Sequence, residues 1–120
     1  SQQHVVWNAI EFALDHGVDV FSMSLGWYQT MNVAFKTWRD IMVNVLSAGV
    51  PASLSAGNEA ADSDKPVPLN IRVPGNCPAP WLHPDQEERG GVTSVLCIGA
   101  SDSGKRIANF SSYGQQLGKT

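Results

Sequence analysis

Three short apolar runs constrain this chain more than any other feature. They are Val18-Asp19-Val20-Phe21-Ser22-Met23-Ser24, Val50 to Ser55, and Thr93 to Ala100. Each has the length of a strand and carries β-branched or alternating apolar residues. A segment of helical period precedes each of the first two. From Gln3 to His16, the residues Val6, Ile10, Ala13 and Leu14 recur at helical spacing, and Gly17 ends the run. From about Met31 to Ser47, one apolar face is made by Val33 or Ala34, Trp38, Ile41 or Met42, and Val45. Lys36, Arg39 and Asp40 lie on the other side, and Ala48-Gly49 ends the segment. Pro51 has no N–H for a ladder, so it belongs at the first position of its strand. The order is helix, strand, helix, strand, long loop, strand. With strands this apolar, it predicts an α/β fold, a three-layer αβα arrangement around a parallel sheet covered on both faces, joined by right-handed connections.

The long loop spans about Gly57 to Gly91 and holds six of the seven prolines. A loop of this length in a compact domain is usually functional or an insertion. Its core, Pro74 to Pro84, reads as ordered, because Trp81 and Leu82 avoid water and the prolines stiffen the path. It either packs as a surface insertion or shapes a cleft.

At 120 residues the chain is one domain or part of a larger one, and an apolar fraction of 42% is that of a globular protein. A formal charge of -3, with no Lys/Arg run, argues against a nucleic-acid surface. No apolar stretch is long enough to span a bilayer. Ser1-Gln2-Gln3-His4 leads straight into an amphipathic segment, so no signal peptide is read here. The lack of an initiator Met points to a chain cut or processed from something longer. Cys77 and Cys97 are too few for a disulfide framework and lack metal-ligand spacing. Cys97, in an apolar run, reads as a small buried hydrophobe; a bridge to Cys77 stays open as the alternative.

In an open parallel sheet, ligands bind beyond the carboxyl ends of the strands. Two such ends are distinctive: Ser24-Leu25-Gly26 and Ser55-Ala56-Gly57-Asn58-Glu59. Small residues there admit another backbone, and an amide side chain can donate to developing negative charge. Taken alone, Gly-Asn after a strand reads as a turn.

Together these segments closely resemble the core of the subtilisin-like serine peptidases. Four matches occur in order: the helix Val5 to Ala13, the run Val18 to Gly26, Ala56-Gly57-Asn58-Glu59, and the pair Ser94 to Ala100 and Ala108 to Gly114. The resemblance covers nearly the whole chain except Ala60 to Val92, which is longer than in compact members of the family. It implies that Asn58 is the side-chain donor of the oxyanion hole, worth about 3 kcal/mol of transition-state stabilisation. It implies that Ser24, Leu25 and Gly26 pair with the substrate backbone as an added strand does. Ala56 and Gly57 would wall the pocket for the residue before the scissile bond. Glu59 would stand at that pocket's mouth and favour basic or polar side chains, or else be a solvated loop carboxylate. Trp27 and Tyr28 would line a subsite or cover the sheet edge.

The family's catalytic Asp and His precede this region and its nucleophilic Ser follows it. Ser22 and Ser24 lie in a strand, His4 and His16 at helix ends, and His83 in the loop, so none is proposed for a triad. The reading is therefore the central part of a serine endopeptidase acting on polypeptides. Alone, the chain is expected to be inactive and to self-associate through uncovered apolar faces. No cofactor or metal is expected in these residues; calcium is left to a full-length protein. A secreted or cell-envelope location is implied by the resemblance only. A relative that has lost its nucleophile and only binds peptides is the competing reading. A nucleotide-binding domain would need a Gly-rich loop between strand and helix, and none is present.

Overall fold

In a computed structural model, residues 2–67, 69–77 and 93–114 are described. Five elements follow one another: α1 (Gln2–Asp15), β1 (Phe21–Met23), α2 (Phe35–Ser47), β2 (Ala52–Ser55) and β3 (Val95–Ile98). The strands form one parallel sheet in the order β1-β2-β3, with Phe21 level with Ala52 and Ala52 level with Val95. Element type and order agree with the sequence reading; β1 and β3 are shorter at both ends and β2 at its start.

Both helices end in the same way. After α1, Gly17 N–H donates to Leu14 O and Val18 N–H to Ala13 O; after α2, Gly49 N–H donates to Leu46 O and Val50 N–H to Val45 O. These paired bonds satisfy carbonyls that the last turn would otherwise leave bare. The start of α2 differs from the predicted Met31. Residues 31–34 are held instead in tight turns, with Val33 N–H donating to Met31 O and Ala34 N–H to the side chain of Gln3. The same Gln3 oxygen accepts Trp38 Nε1–H at 2.8 Å, so one side chain of α1 sets where α2 begins.

The core lies on one face of the sheet. Ala52 and Leu54 of β2, Phe21 of β1 and Val95 of β3 meet Ile10 of α1 and Trp38, Met42 and Val45 of α2. Trp38 is fully buried, edge-on to Trp7 at 5.6 Å and tilted against Trp27 at 5.5 Å. Aromatic burial of this kind contributes a large share of a small core's stability. The sheet's other face carries Ser22, Ser53, Leu96 and Ile98, with Leu96 57% and Ile98 50% exposed. Among the described residues, then, the helical layer is present on one face only, and the αβα arrangement is partial.

The first half of the long loop is not a surface flap. Val73 is fully buried in the core cluster and pairs with Trp27 in an antiparallel bridge. Trp81 and Leu82, expected to keep the core of the loop ordered, lie outside the described residues.

Both cysteines are free, and Cys97 departs from the expectation of a buried hydrophobe. Cys77 is buried among core residues, whereas Cys97 is exposed. Cys97 pairs across from Leu54, but on an edge strand where the helical cover has run out. Burial pushes the Cys77 thiol up to about 12, against a small opposing pull from Arg39. Packing by its neighbours raises the Cys97 thiol as well, without closing it off from solvent. Thiolate is the reactive form. Alkylation of the folded protein, read by mass spectrometry, is therefore expected to modify Cys97 and to spare Cys77 until denaturant is added. Equal labelling of the two thiols would contradict this packing.

Candidate functional site

Because the three strands are parallel, their carboxyl ends emerge side by side. Ser24-Leu25-Gly26 leaves β1, Ala56-Gly57-Asn58 leaves β2, and Gly99-Ala100 leaves β3. Two bonds knit these exits together: Ala56 N–H donates to Ile98 O at 2.9 Å, and Ser55 Oγ to Leu25 O at 3.4 Å. Asn58 is exposed at this edge, and its side-chain amide makes no hydrogen bond with the described residues. Ser24 is exposed, while Leu25 and Gly26 are half-buried.

Glu59 is buried and is not a solvated loop carboxylate. Its side chain is only 4% exposed, and it forms an ion pair with Arg72. Arg72 Nε–H reaches both carboxylate oxygens, at 3.0 and 3.1 Å, and Arg72 Nη2 adds a further bond. Asn58 N–H donates to Glu59 Oε2 at 2.9 Å, and Ser112 Oγ–H donates to the same oxygen at 3.2 Å. A carboxylate taken out of water needs such partners, because burying a lone charge costs several kcal/mol, of order 3–5 when one partner of a pair is lost. Burial opposes ionisation of Glu59. The hydrogen bonds from Arg72, Asn58 and Ser112 and the Arg72 charge outweigh it, so the carboxyl sits below its usual range.

The loop Ala108 to Gly114 closes the site from a distance of about fifty residues in sequence. Ser112 N–H donates to Gly57 O, Glu59 N–H to Ser112 Oγ, and Tyr113 N–H to Asn70 Oδ1. Asn70 Nδ2 in turn donates to Glu59 O and to Lys65 O, both at 2.7 Å. The guanidinium of Arg72 lies 4.9 Å from the ring of Tyr28, and Lys65 Nζ 4.4 Å from it. Gly57 has φ +114°, and a Cβ there would collide with Glu59, Arg72 and Ser112. Only glycine allows the three to close around that turn.

Among the residues singled out in the sequence, Ser24 to Gly26 and Ala56 to Glu59 therefore do come together. Trp27 packs into the core and also borders, with Leu25 and Gly26, a cleft of about 380 Å³ reaching α1. His16 stacks on Phe12 at 3.9 Å at the end of α1 that feeds β1, away from the strand exits. His4 lies against Trp7, and His83 is outside the described residues. Sequence reading missed Arg72, Asn70 and Ser112. A carboxylate placed directly after a buried strand demands a cation, and that signal could have pointed to Lys65 or Arg72. Among the described residues, no three His, Cys, Asp or Glu side chains gather as a metal-holding group, and no helix is long and apolar enough to cross a membrane.

Comparison with known proteins gives a consistent match. A model of the subtilase peptidase family matches residues 1–120. Subtilisin NAT of Bacillus subtilis subsp. natto is 29% identical over 110 residues, which is 92% of this chain and 23% of that protein. The subtilisin of Bacillus pumilus is also 29% identical over 110 residues, 92% of this chain and 32% of that protein. The chain thus spans about a quarter to a third of these relatives. Among solved structures, the prenylagaramide maturation protease PagA superimposes with a TM-score of 0.66 at 20% identity, covering 92% of this chain and 32% of that one. The PatG macrocyclase in complex with peptide gives 0.66 at 15% identity, covering 92% and 27%. A lanthipeptide protease gives 0.66 at 18% identity, covering 93% and 31%. At these identities the structural likenesses establish the fold.

The Glu59 network carries a pH dependence. A carboxyl held below its ordinary value of 4.5 contributes stability that is complete above that value and is lost as pH falls through the folded-state value. The melting temperature is therefore expected to drop as the pH is lowered from 4.5. In Glu59→Gln that part of the acid dependence should vanish, with a lower melting temperature at neutral pH. Parallel melting-temperature profiles for the two proteins would remove Glu59 as the titrating group.

Proposed function

This chain belongs to the subtilase family, and from that premise we propose that it forms the central part of a serine endopeptidase that cleaves polypeptides by a Ser/His/Asp mechanism. The observation that carries the reading is the Asn58 side chain. It stands exposed just beyond the carboxyl end of β2, whose neighbour in the parallel sheet, β1, leads into Ser24-Leu25-Gly26.

In this reading the substrate backbone adds as a strand along Ser24, Leu25 and Gly26. Ala56 and Gly57 wall the pocket for the residue before the scissile bond. When the nucleophile attacks, the carbonyl oxygen gains negative charge, and the Asn58 amide donates to it. A donor already in place stabilises the transition state with no reorganisation during the reaction. The Glu59 carboxylate holds the Asn58 main chain from below, so its role is positioning and not charge selection. The nucleophile, base and orienting carboxylate belong to other parts of the protein, and the chain by itself is inactive. No cofactor is assigned to these residues, and any calcium would be bound elsewhere in the whole protein. The mild negative charge favours no nucleic-acid partner. A secreted or cell-envelope location fits an enzyme of this family.

For the whole protein, Asn58→Ala is expected to lower kcat by about 100- to 1,000-fold, the range known for loss of one such donor, subtilisin included, while KM changes little. An unchanged kcat would remove Asn58 from this role. A serine-directed fluorophosphonate should label the whole protein; absence of labelling favours the competing reading, a peptide-binding relative without a nucleophile. The isolated 120-residue chain, with Leu96 and Ile98 uncovered, is expected to self-associate. A strictly monomeric species in light scattering at high concentration would contradict that expectation.

A further inference from the structure

Beyond the last residues of β1 and β2 the two chains diverge, and residues 71–73 run between them. Arg72 N–H donates to Ala56 O at 2.9 Å, and Val73 exchanges a pair of backbone bonds with Trp27 at 2.8 and 2.9 Å. Hydrogen bonds on both sides thus fix the backbone of Arg72. Its side-chain stem then fills the gap. A Cβ on Gly26 would lie 2.9 Å from Arg72 Cβ, and a Cβ on Gly57 would lie 2.9 Å from Arg72 Cγ. The stem therefore touches both segments assigned above to the substrate, and both present a bare glycine to it.

The head of the side chain is equally constrained. The guanidinium is held by both Glu59 oxygens and lies against the Tyr28 ring. A planar fork bound at two points and flanked by an aromatic ring loses little further entropy and does not swing aside easily. Its charge is matched by a buried carboxylate, so it offers no net attraction to an acidic or basic ligand group. Yet the side chain remains 26% exposed. It is a floor that a ligand can touch, and not a core residue.

We propose that Arg72 plugs the gap between Ser24–Gly26 and Ala56–Gly57 and thereby limits the residue before the scissile bond to a small, uncharged side chain such as Gly, Ala or Ser. The proposal rests on the reading of those two segments as substrate-lining. It also replaces the expectation that Glu59 selects basic side chains: that carboxylate is already neutralised by Arg72. Arg72 determines specificity by its volume, and Glu59 positions it.

The test uses the whole protein that carries this sequence and a peptide series varied at the residue before the cleaved bond. For the unmodified protein, kcat/KM for Ala or Ser should exceed that for Phe, Leu or Lys by at least about tenfold, the least that a mismatched pocket volume imposes. The double variant Arg72→Gly/Glu59→Gln removes the stem without leaving a buried charge alone. In it, the ratio of Phe to Ala turnover should rise by about tenfold or more. Arg72→Met/Glu59→Gln nearly keeps the volume and removes both charges, and its profile should stay with small residues. Cleavage after Phe or Leu as fast as after Ala by the unmodified protein overturns the proposal even if no variant folds. So does an unaltered profile in a folded double variant, with folding checked by thermal melting. Fluorophosphonate labelling separates the two levels: a labelled enzyme that accepts large residues sinks only the plug, whereas an unlabelled protein sinks the peptidase reading and the plug with it.

Discussion

Burial of the Glu59 carboxylate decides how the carboxyl end of this sheet is built. A charged side chain at 4% exposure persists only when every oxygen has a partner. Meeting that demand draws in Arg72 from thirteen residues away and Ser112 from fifty-three. Asn70 is then required to bridge the Glu59 carbonyl and the Tyr113 N–H. The result is one connected polar network across β2, the residue 60–77 segment and the final loop. Such networks are stiff when complete and costly when a member is lost.

The opposite requirement, removal of apolar surface from water, builds the rest. Trp38, Trp7 and Trp27 pack beneath the sheet, with Gln3 satisfying the Trp38 N–H. This core covers one sheet face and leaves the other bearing Leu96 and Ile98. Both faces of a parallel sheet are normally covered. The chain spans about a quarter to a third of the relatives it matches, and among its described residues the helical layer covers one face of the sheet.

The two regimes meet at the proposed site. The polar network holds the main chain of Asn58 and Gly57, while the side chain of Asn58 stays uncommitted. A rigid main chain with a free amide is what preorganised stabilisation of a transient oxyanion calls for. The same network places the Arg72 stem against Gly26 and Gly57, so the scaffold that orients one group also sets the space beside it.

Much of this was legible in the sequence. Helical spacing in Val6 to Leu14 and in Trp38 to Val45, and strand-like runs ending in Ser24-Leu25-Gly26 and Ala56-Gly57-Asn58, identified the elements, their order and the parallel sheet. Those are local patterns, set by side-chain period and by glycine, and they need no knowledge of distant residues. The start of α2 was misplaced because a side chain from α1 holds residues 31–34, and Cys97 was misjudged because burial depends on which neighbours cover a strand. The partners of Glu59 were invisible for the same reason. A carboxylate after a strand announces that it needs a cation, but which cation depends on how the chain returns. By itself the sequence determined the elements, the family and the candidacy of Asn58. Only the tertiary structure decided that Glu59 is buried, that Arg72 neutralises it, and that Arg72 occupies the gap beside Gly57, because these depend on contacts between residues far apart in the chain.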